Sequence, residues 1–143
     1  MKSFTKKENV PFSASQMYDL VNDVNAYDSF LPYCTHSIVL IDEPTHMQAS
    51  LSFAAYGIEK SFTTDNTLIP NKSITIKLVE GPFEHLSGYW QFKSDARQHC
   101  NIELAFSYEI SSWIRPVFEP IFEEIAEKWL SVFIKRAHEV YGQ

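Results

Sequence analysis

Histidine and cysteine are the residues of this sequence best suited to metal binding or nucleophilic catalysis, and their spacing decides whether either chemistry is available. The sequence contains His36, His46, His85, His99 and His138, together with Cys34 and Cys100. None of them forms an H-x-x-x-H, H-E-x-x-H or C-x-x-C pattern, which would bring two ligands onto one helix face or into one tight turn. The sequence therefore predicts no metal site.

A thiolate–imidazole pair is conceivable because Cys34 lies only two residues from His36. Side chains this close on an extended segment rarely converge, so a surface histidine is the preferred interpretation. The sequence also lacks a G-x-S-x-G turn, a phosphate-binding loop and a G-x-G-x-x-G fingerprint. We therefore expect no catalytic residue and no enzymatic activity.

Four glutamates near the C-terminus are the remaining candidates for general acid or base catalysis. They are Glu119, Glu123, Glu124 and Glu127. Glu123 and Glu127 are separated by one helical turn, and Glu124 can pair with Lys128 in the same way. This spacing favours a solvated helix face whose charge complements the helix dipole.

Tyr108 and Gly88 lie at inward positions of predicted strands. The hydroxyl of Tyr108, if buried, needs a partner, which could be a backbone oxygen or a ligand carbonyl. Glycine weakens a strand interior, so Gly88 indicates either a bulge in a curved sheet or a position where a side chain would obstruct a cavity. The residues alone leave both pairs of alternatives open.

The composition limits the classes of protein that can be considered. The 143 residues fit one domain, 1–143, in which 45% of residues are apolar and 15% are aromatic. The net charge of −6 lacks the basic excess that neutralises phosphates, so DNA is not an expected partner. Two unpaired cysteines and the absence of a secretory segment favour a cytoplasmic location. A peripheral contact with the inner membrane is compatible with this location.

The elements that must position any site follow from hydrophobic periodicity. Ser13 and Gln16 form a capping box at the start of a helix over 13–24. Apolar and polar residues alternate between 36 and 111, as in five or six antiparallel strands with one covered face. A long final helix is predicted to begin with Pro120 in its first turn. A straight helix cannot touch a strongly curved sheet everywhere, so we expect an α+β domain that encloses a hydrophobic cavity.

Several motifs along the chain resemble those of a known family. The segment "FLPYC" after the first helix resembles the F-L-P-x-C signature of coenzyme Q-binding START-like proteins, within the polyketide cyclase/START superfamily. "YGIEKSFTT" and "LVEGPFEHLSGYWQF" are similar to that family's central strand and its G-P-F…G-x-W-x-F block. The bacterial branch of this family includes ribosome-association toxins. The resemblance covers nearly the whole chain.

The resemblance implies a helix-grip fold, in which a curved antiparallel sheet wraps around the long C-terminal helix. It also implies a lipid-like ligand, ubiquinone or a polyprenyl quinone precursor, with no cofactor and no chemical step. The expected wall residues are Leu51, Phe53, Phe62, Leu78, Leu86, Gly88, Trp90, Phe106, Tyr108, Phe122, Ile125, Trp129 and Phe133. Phe30, Leu31, Pro32 and Phe83 are expected to form a gate, with Tyr27 and Tyr33 at its more solvated edge. For any single residue, ordinary core packing is the alternative.

Two other functions stay open at this stage. A ribosome-association toxin would bind the large ribosomal subunit and block subunit joining, although a charge of −6 weighs against a broad contact with RNA. A polyketide cyclase-like enzyme would share the fold, but no inward histidine or carboxylate pair supports catalysis. A quinone carrier or chaperone that supports respiration is the favoured interpretation.

Overall fold

The computed structural model describes residues 1–142, which form a seven-stranded antiparallel sheet and two α-helices. In chain order the elements are β1 (Lys2–Val10), α1 (Ala14–Asn22), a short 3₁₀ helix (Val24–Ser29), β2 (Cys34–Glu43), β3 (His46–Ala55), β4 (Ile58–Ile69), β5 (Ser73–Glu80), β6 (Phe83–Ser94), β7 (Cys100–Ile110) and α2 (Arg115–Tyr141). The strands lie in the order β1-β7-β6-β5-β4-β3-β2. The predicted α+β order is confirmed, with six strands between the two helices.

The first helix begins with the predicted capping box. Ser13 Oγ accepts a hydrogen bond of 3.0 Å from Gln16 N, and Gln16 Oε1 accepts one of 2.9 Å from Ser13 N. At the other end of α1 the last carbonyl groups have no partner within the helix. The hydroxyl of Tyr27 donates to the carbonyl oxygen of Val21 there. The 3₁₀ helix is thereby fastened to the end of α1.

The second helix begins earlier than the sequence indicated. It starts at Arg115, so Pro116 occupies the first turn and Pro120 lies inside the helix. Nε and Nη2 of Arg115 donate to the carbonyl oxygen of Ile110 at 3.0 and 2.8 Å, which ties the start of α2 to the end of β7. The prediction that Pro120 occupies the first turn was wrong. Either proline suits a first turn, and the tertiary contact that ties Arg115 to Ile110 is not visible in the sequence.

The sheet curves around α2. Register shifts interrupt the pairing of β2, β5 and β6, and such bulges bend a strand and increase its twist. The 27 residues of α2 span about 40 Å at 1.5 Å per residue. Aromatic rings of α2 contact rings on β3, β4, β6 and β7, so the helix crosses the concave face of the sheet. This arrangement confirms the predicted helix-grip fold.

Candidate ligand cavity

A cavity of about 40 Å³ lies between α2 and the concave face of the sheet. Its volume gives room for about three water molecules. The lining residues are Val24, Tyr27, Ala49, Leu51, Phe62, Thr64, Asn66, Ile76, Leu86, Trp90, Phe106, Phe122 and Trp129. Most are apolar or aromatic, as in sites for apolar small molecules.

The helix contributes Phe122 and Trp129 to the cavity wall. These residues are seven positions apart, two turns along α2, and therefore share a face. The ring of Trp129 lies 5.6 Å from that of Phe106 and 6.1 Å from that of Phe53, measured between centroids. Contacts with β7 and β3 thus hold the indole at the cavity.

Two polar atoms of the wall are buried without a hydrogen-bond partner. They are Oδ1 of Asn66 on β4 and Nε1 of Trp129. Asn66 is 6% exposed and Trp129 is 5% exposed, so neither side chain is solvated from outside. Burying such a group unpaired costs about 1–3 kcal/mol. An occupant of the cavity that pairs with either atom recovers part of that cost.

The wall carries no aspartate, glutamate, lysine, arginine or histidine. Tyr27 is its one ionisable side chain, and burial raises the pKa of this phenol well above its ordinary value. The Tyr27 hydroxyl is already committed to Val21. A charged head group placed here would lose its hydration without gaining a counter-charge, so the cavity favours a neutral ligand.

The predicted wall residues divide into those that line the cavity and those that do not. The lining set contains Leu51, Phe62, Leu86, Trp90, Phe106, Phe122 and Trp129. The predicted residues outside the lining set are Phe30, Leu31, Pro32, Phe53, Leu78, Phe83, Gly88, Tyr108, Ile125 and Phe133. Phe53 and Phe133 are fully buried behind the wall, where they pack on Phe62 and Trp90.

The predicted gate is not a uniform surface. Leu31 is buried, Phe30 is half-buried and Pro32 is exposed. Phe30 packs against Tyr27 and beneath the guanidinium of Arg136. The expectation of a solvated Tyr27 was wrong. The 3₁₀ helix turns the Tyr27 ring inward, and the carbonyl oxygen of Val21 in α1 accepts the hydrogen bond of its hydroxyl.

Gly88 and Tyr108 have packing roles that the sequence left undecided. A Cβ on Gly88 would lie 2.4 Å from the carbonyl oxygen of Ala105 and 2.5 Å from Cδ1 of Phe106. The glycine therefore lets Phe106 take its place in the cavity wall, and the register shift of β6 lies elsewhere, between Phe83 and His85. The Tyr108 ring contacts Phe122, and the residue borders a surface groove beside Lys2.

Six lining residues were not predicted as wall residues from the sequence. They are Val24, Tyr27, Ala49, Thr64, Asn66 and Ile76. Asn66 follows Phe62 and Thr64 at every second position of β4, and thus shares their inward face. This period-two spacing was the available signal. It was hidden because two polar residues, Thr64 and Asn66, lie between the apolar Phe62 and Leu68 on the inward face.

The structure does not form the conceivable thiolate–imidazole pair. The Cys34 thiol donates to the backbone carbonyl of His36 at 3.4 Å, and the His36 side chain is exposed. Burial raises the pKa of Cys34 to about 11, so the thiol stays protonated at neutral pH and is a poor nucleophile. Within residues 1–142 no group of histidine, cysteine and carboxylate side chains could hold a metal ion. No helix in the same range is long and apolar enough to cross a membrane.

The fold and the cavity together define a helix-grip domain with a mainly apolar site between the sheet and α2. Residues 10–133 match the family described as polyketide cyclase / dehydrase and lipid transport. The chain belongs to this family, which confirms the predicted resemblance.

Similar proteins carry several different names. The chain is 43% identical over 144 residues to the ribosome association toxin RatA of Vibrio cholerae, with all of both chains covered. It is 26% identical to the mitochondrial coenzyme Q-binding protein COQ10 homolog B of Xenopus laevis, over 98% of this chain and 59% of that protein. The solved structure of the Zhui aromatase/cyclase from Streptomyces sp. R1128 is also similar to this chain. The match covers 99% of this chain and 98% of that chain, with a TM-score of 0.82 at 16% identity. At that identity the likeness shows the fold alone.

Proposed function

We propose that this protein binds a neutral, quinone-like lipid between α2 and the sheet and performs no chemical step on it. The observation that carries the proposal is the cavity wall, which is mainly apolar, bears two unpartnered polar atoms and has no charged side chain. A family described as including lipid transport and the likeness to a coenzyme Q-binding protein support the same ligand class. The role would be that of a cytoplasmic carrier or chaperone supporting respiration.

The proposal requires the cavity to widen. A volume of about 40 Å³ holds water molecules but is smaller than a quinone ring. Burial of an isoprenoid tail supplies the driving force, since a few hundred Å² at ~25 cal/mol per Å² gives several kcal/mol. Losses of ligand freedom and of wall packing are subtracted from this gain. Because the ligand would bind only the folded chain, it should also raise the Tm.

Native mass spectrometry of gently purified protein tests the proposal, because a co-purified lipid identifies the ligand class directly. Tryptophan fluorescence gives a second measurement, since Trp90 and Trp129 line the cavity whereas Trp113 is 70% exposed. In a Trp113→Phe variant the remaining emission comes from the wall, and added short-chain quinone should quench it. Protein without bound lipid whose fluorescence is unchanged by quinone would contradict the proposal.

Ribosome association is the second candidate function. It is favoured by the 43% identity, over the full length of both chains, to a protein named as a ribosome association toxin. Overexpression followed by sucrose-gradient sedimentation tests it, because a protein that blocks subunit joining lowers the ratio of joined to free subunits. An unchanged ratio would remove this candidate and leave the lipid proposal unaffected.

A further inference from the structure

Two residues of the cavity wall each carry a buried hydrogen-bonding atom without a partner, and the two atoms are of opposite sense. Oδ1 of Asn66 can only accept a hydrogen bond, and Nε1–H of Trp129 can only donate one. Asn66 comes from β4 of the sheet and Trp129 from the helix that crosses it, so the two residues belong to different walls of the cavity. A third unpartnered atom, Oδ1 of Asn22, belongs to a residue outside the lining set.

A ligand that pairs both groups is favoured over a ligand that pairs only one. Each group gave up its hydrogen bonds to water when the chain folded, and an occupant that leaves one of them unpaired does not recover that loss. The discrimination is sharpest when the occupant also expels water from the site. Among ligands of the same shape, the hydrogen-bonding groups of the head group therefore determine which ligand binds more tightly.

Quinones and phenols differ in whether they can donate a hydrogen bond. The carbonyl oxygens of a quinone only accept, so a quinone pairs with Trp129 and leaves Asn66 without a donor. A phenolic hydroxyl both accepts and donates, and can therefore satisfy both groups. We propose that the cavity selects a neutral aromatic head group with a free hydroxyl, a quinol or a phenolic quinone precursor, over the corresponding quinone. This inference rests on the proposed function and specifies the head group and its redox state.

Three probes with the same tail test the inference by isothermal titration calorimetry. They are 4-octylphenol, its methyl ether, and octyl-1,4-benzoquinone. The phenol should bind about five- to tenfold more tightly than the ether or the quinone, because this ratio corresponds to the net contribution of one neutral hydrogen bond. Equal affinities would overturn the inference and leave the proposed function standing. If none of the three binds, the proposed function is overturned with it.

Variants assign the preference to the named atoms. Asn66→Leu, of similar size, removes the acceptor and should bring the phenol-to-ether ratio close to one. Trp129→Phe removes the donor and should weaken the phenol and the quinone together. Asn22→Leu is the matched control, because it removes an unpartnered amide oxygen outside the cavity, and it should leave the ratio unchanged.

One outcome would reverse the inference. If the Asn66 amide presented Nδ2 to the ligand, the quinone would bind more tightly than the phenol, and Asn66→Leu would remove that preference. Thermal unfolding of each variant shows whether it is folded. The ratio in the unaltered protein decides the question by itself if a variant does not fold.

Discussion

Two neighbouring parts of the interior have similar residues and different packing. The aromatic cluster, defined here as Phe62, Phe83, Phe118 and Phe122, has ring centroids between 5.1 and 6.3 Å apart for its contacting pairs. The adjoining cavity region shares two of these rings but also contains Ala49, Thr64 and Asn66. Bulky rings therefore do not by themselves decide whether a core is filled. The cavity exists where small and polar side chains lie between the aromatic rings.

The largest expected effect is in the aromatic cluster. Phe118→Ala should lower the free energy of unfolding by about 3–5 kcal/mol, because Phe118 is 1% exposed and its removal leaves a cavity among packed rings. Urea denaturation measures the loss. Val117→Ala, at an exposed position beside it on α2, should change stability by less than about 0.5 kcal/mol. A loss near 1 kcal/mol for Phe118→Ala would mean that the cluster is packed as loosely as the cavity region.

Enlarging an alanine compares the two kinds of packing directly. Ala137 is fully buried on α2 and does not line the cavity, so Ala137→Leu should cost about 1–3 kcal/mol through overpacking. Ala49 lines the cavity, so Ala49→Leu should cost less than about 1 kcal/mol and should compete with ligand. Urea denaturation and quinone titration of both variants test this. Equal destabilisation by the two substitutions would show that the space beside Ala49 cannot be filled.

The sequence was most informative where periodicity and local geometry act alone. The capping box at Ser13, the alternation of the strands and the amphipathic character of α2 follow from local rules. The inward position of Tyr27 depends on the carbonyl left free at the end of α1, and the start of α2 depends on the contact between Arg115 and Ile110. Asn66 was missed for a different reason. The alternation of apolar and polar residues assigns polar residues to the outward face of a strand, and Asn66 is a polar residue on the inward face.

A smaller effect is expected for the hydroxyl that fastens the 3₁₀ helix to α1. Tyr27→Phe keeps the ring in the cavity wall and leaves the Val21 carbonyl without this donor, so it should cost about 1–2 kcal/mol. Tyr33→Phe is the control, since the Tyr33 hydroxyl donates to Glu124 at 3.2 Å near the surface. That variant should lose less than about 0.5 kcal/mol. Similar losses from both would show that the buried hydrogen bond contributes no more than the surface one.

The smallest expected effect concerns the outward face of β4, where polar groups are paired, in contrast to the unpaired Asn66 on the inward face. Asp65, next to Asn66, accepts a hydrogen bond from Nε2 of His46. This bond raises the pKa of His46 above its ordinary value of 6.5, with Glu43 adding to the shift. The protonated histidine therefore stabilises the fold fully below about pH 6.5, and the contribution is lost as the pH rises through the folded-state pKa.

Titration of His46 by NMR tests this contrast between the two faces. Its midpoint should lie above 6.5 and should fall when Asp65→Asn removes the charge of its main partner, whereas Glu43→Gln should lower it less. A midpoint at or below 6.5 would show that the pair is not maintained in solution. Asp65 is next to Asn66 on β4, but the two side chains lie on opposite faces of the strand. We therefore expect Asp65→Asn to reduce the phenol-to-ether ratio only slightly, and much less than Asn66→Leu does.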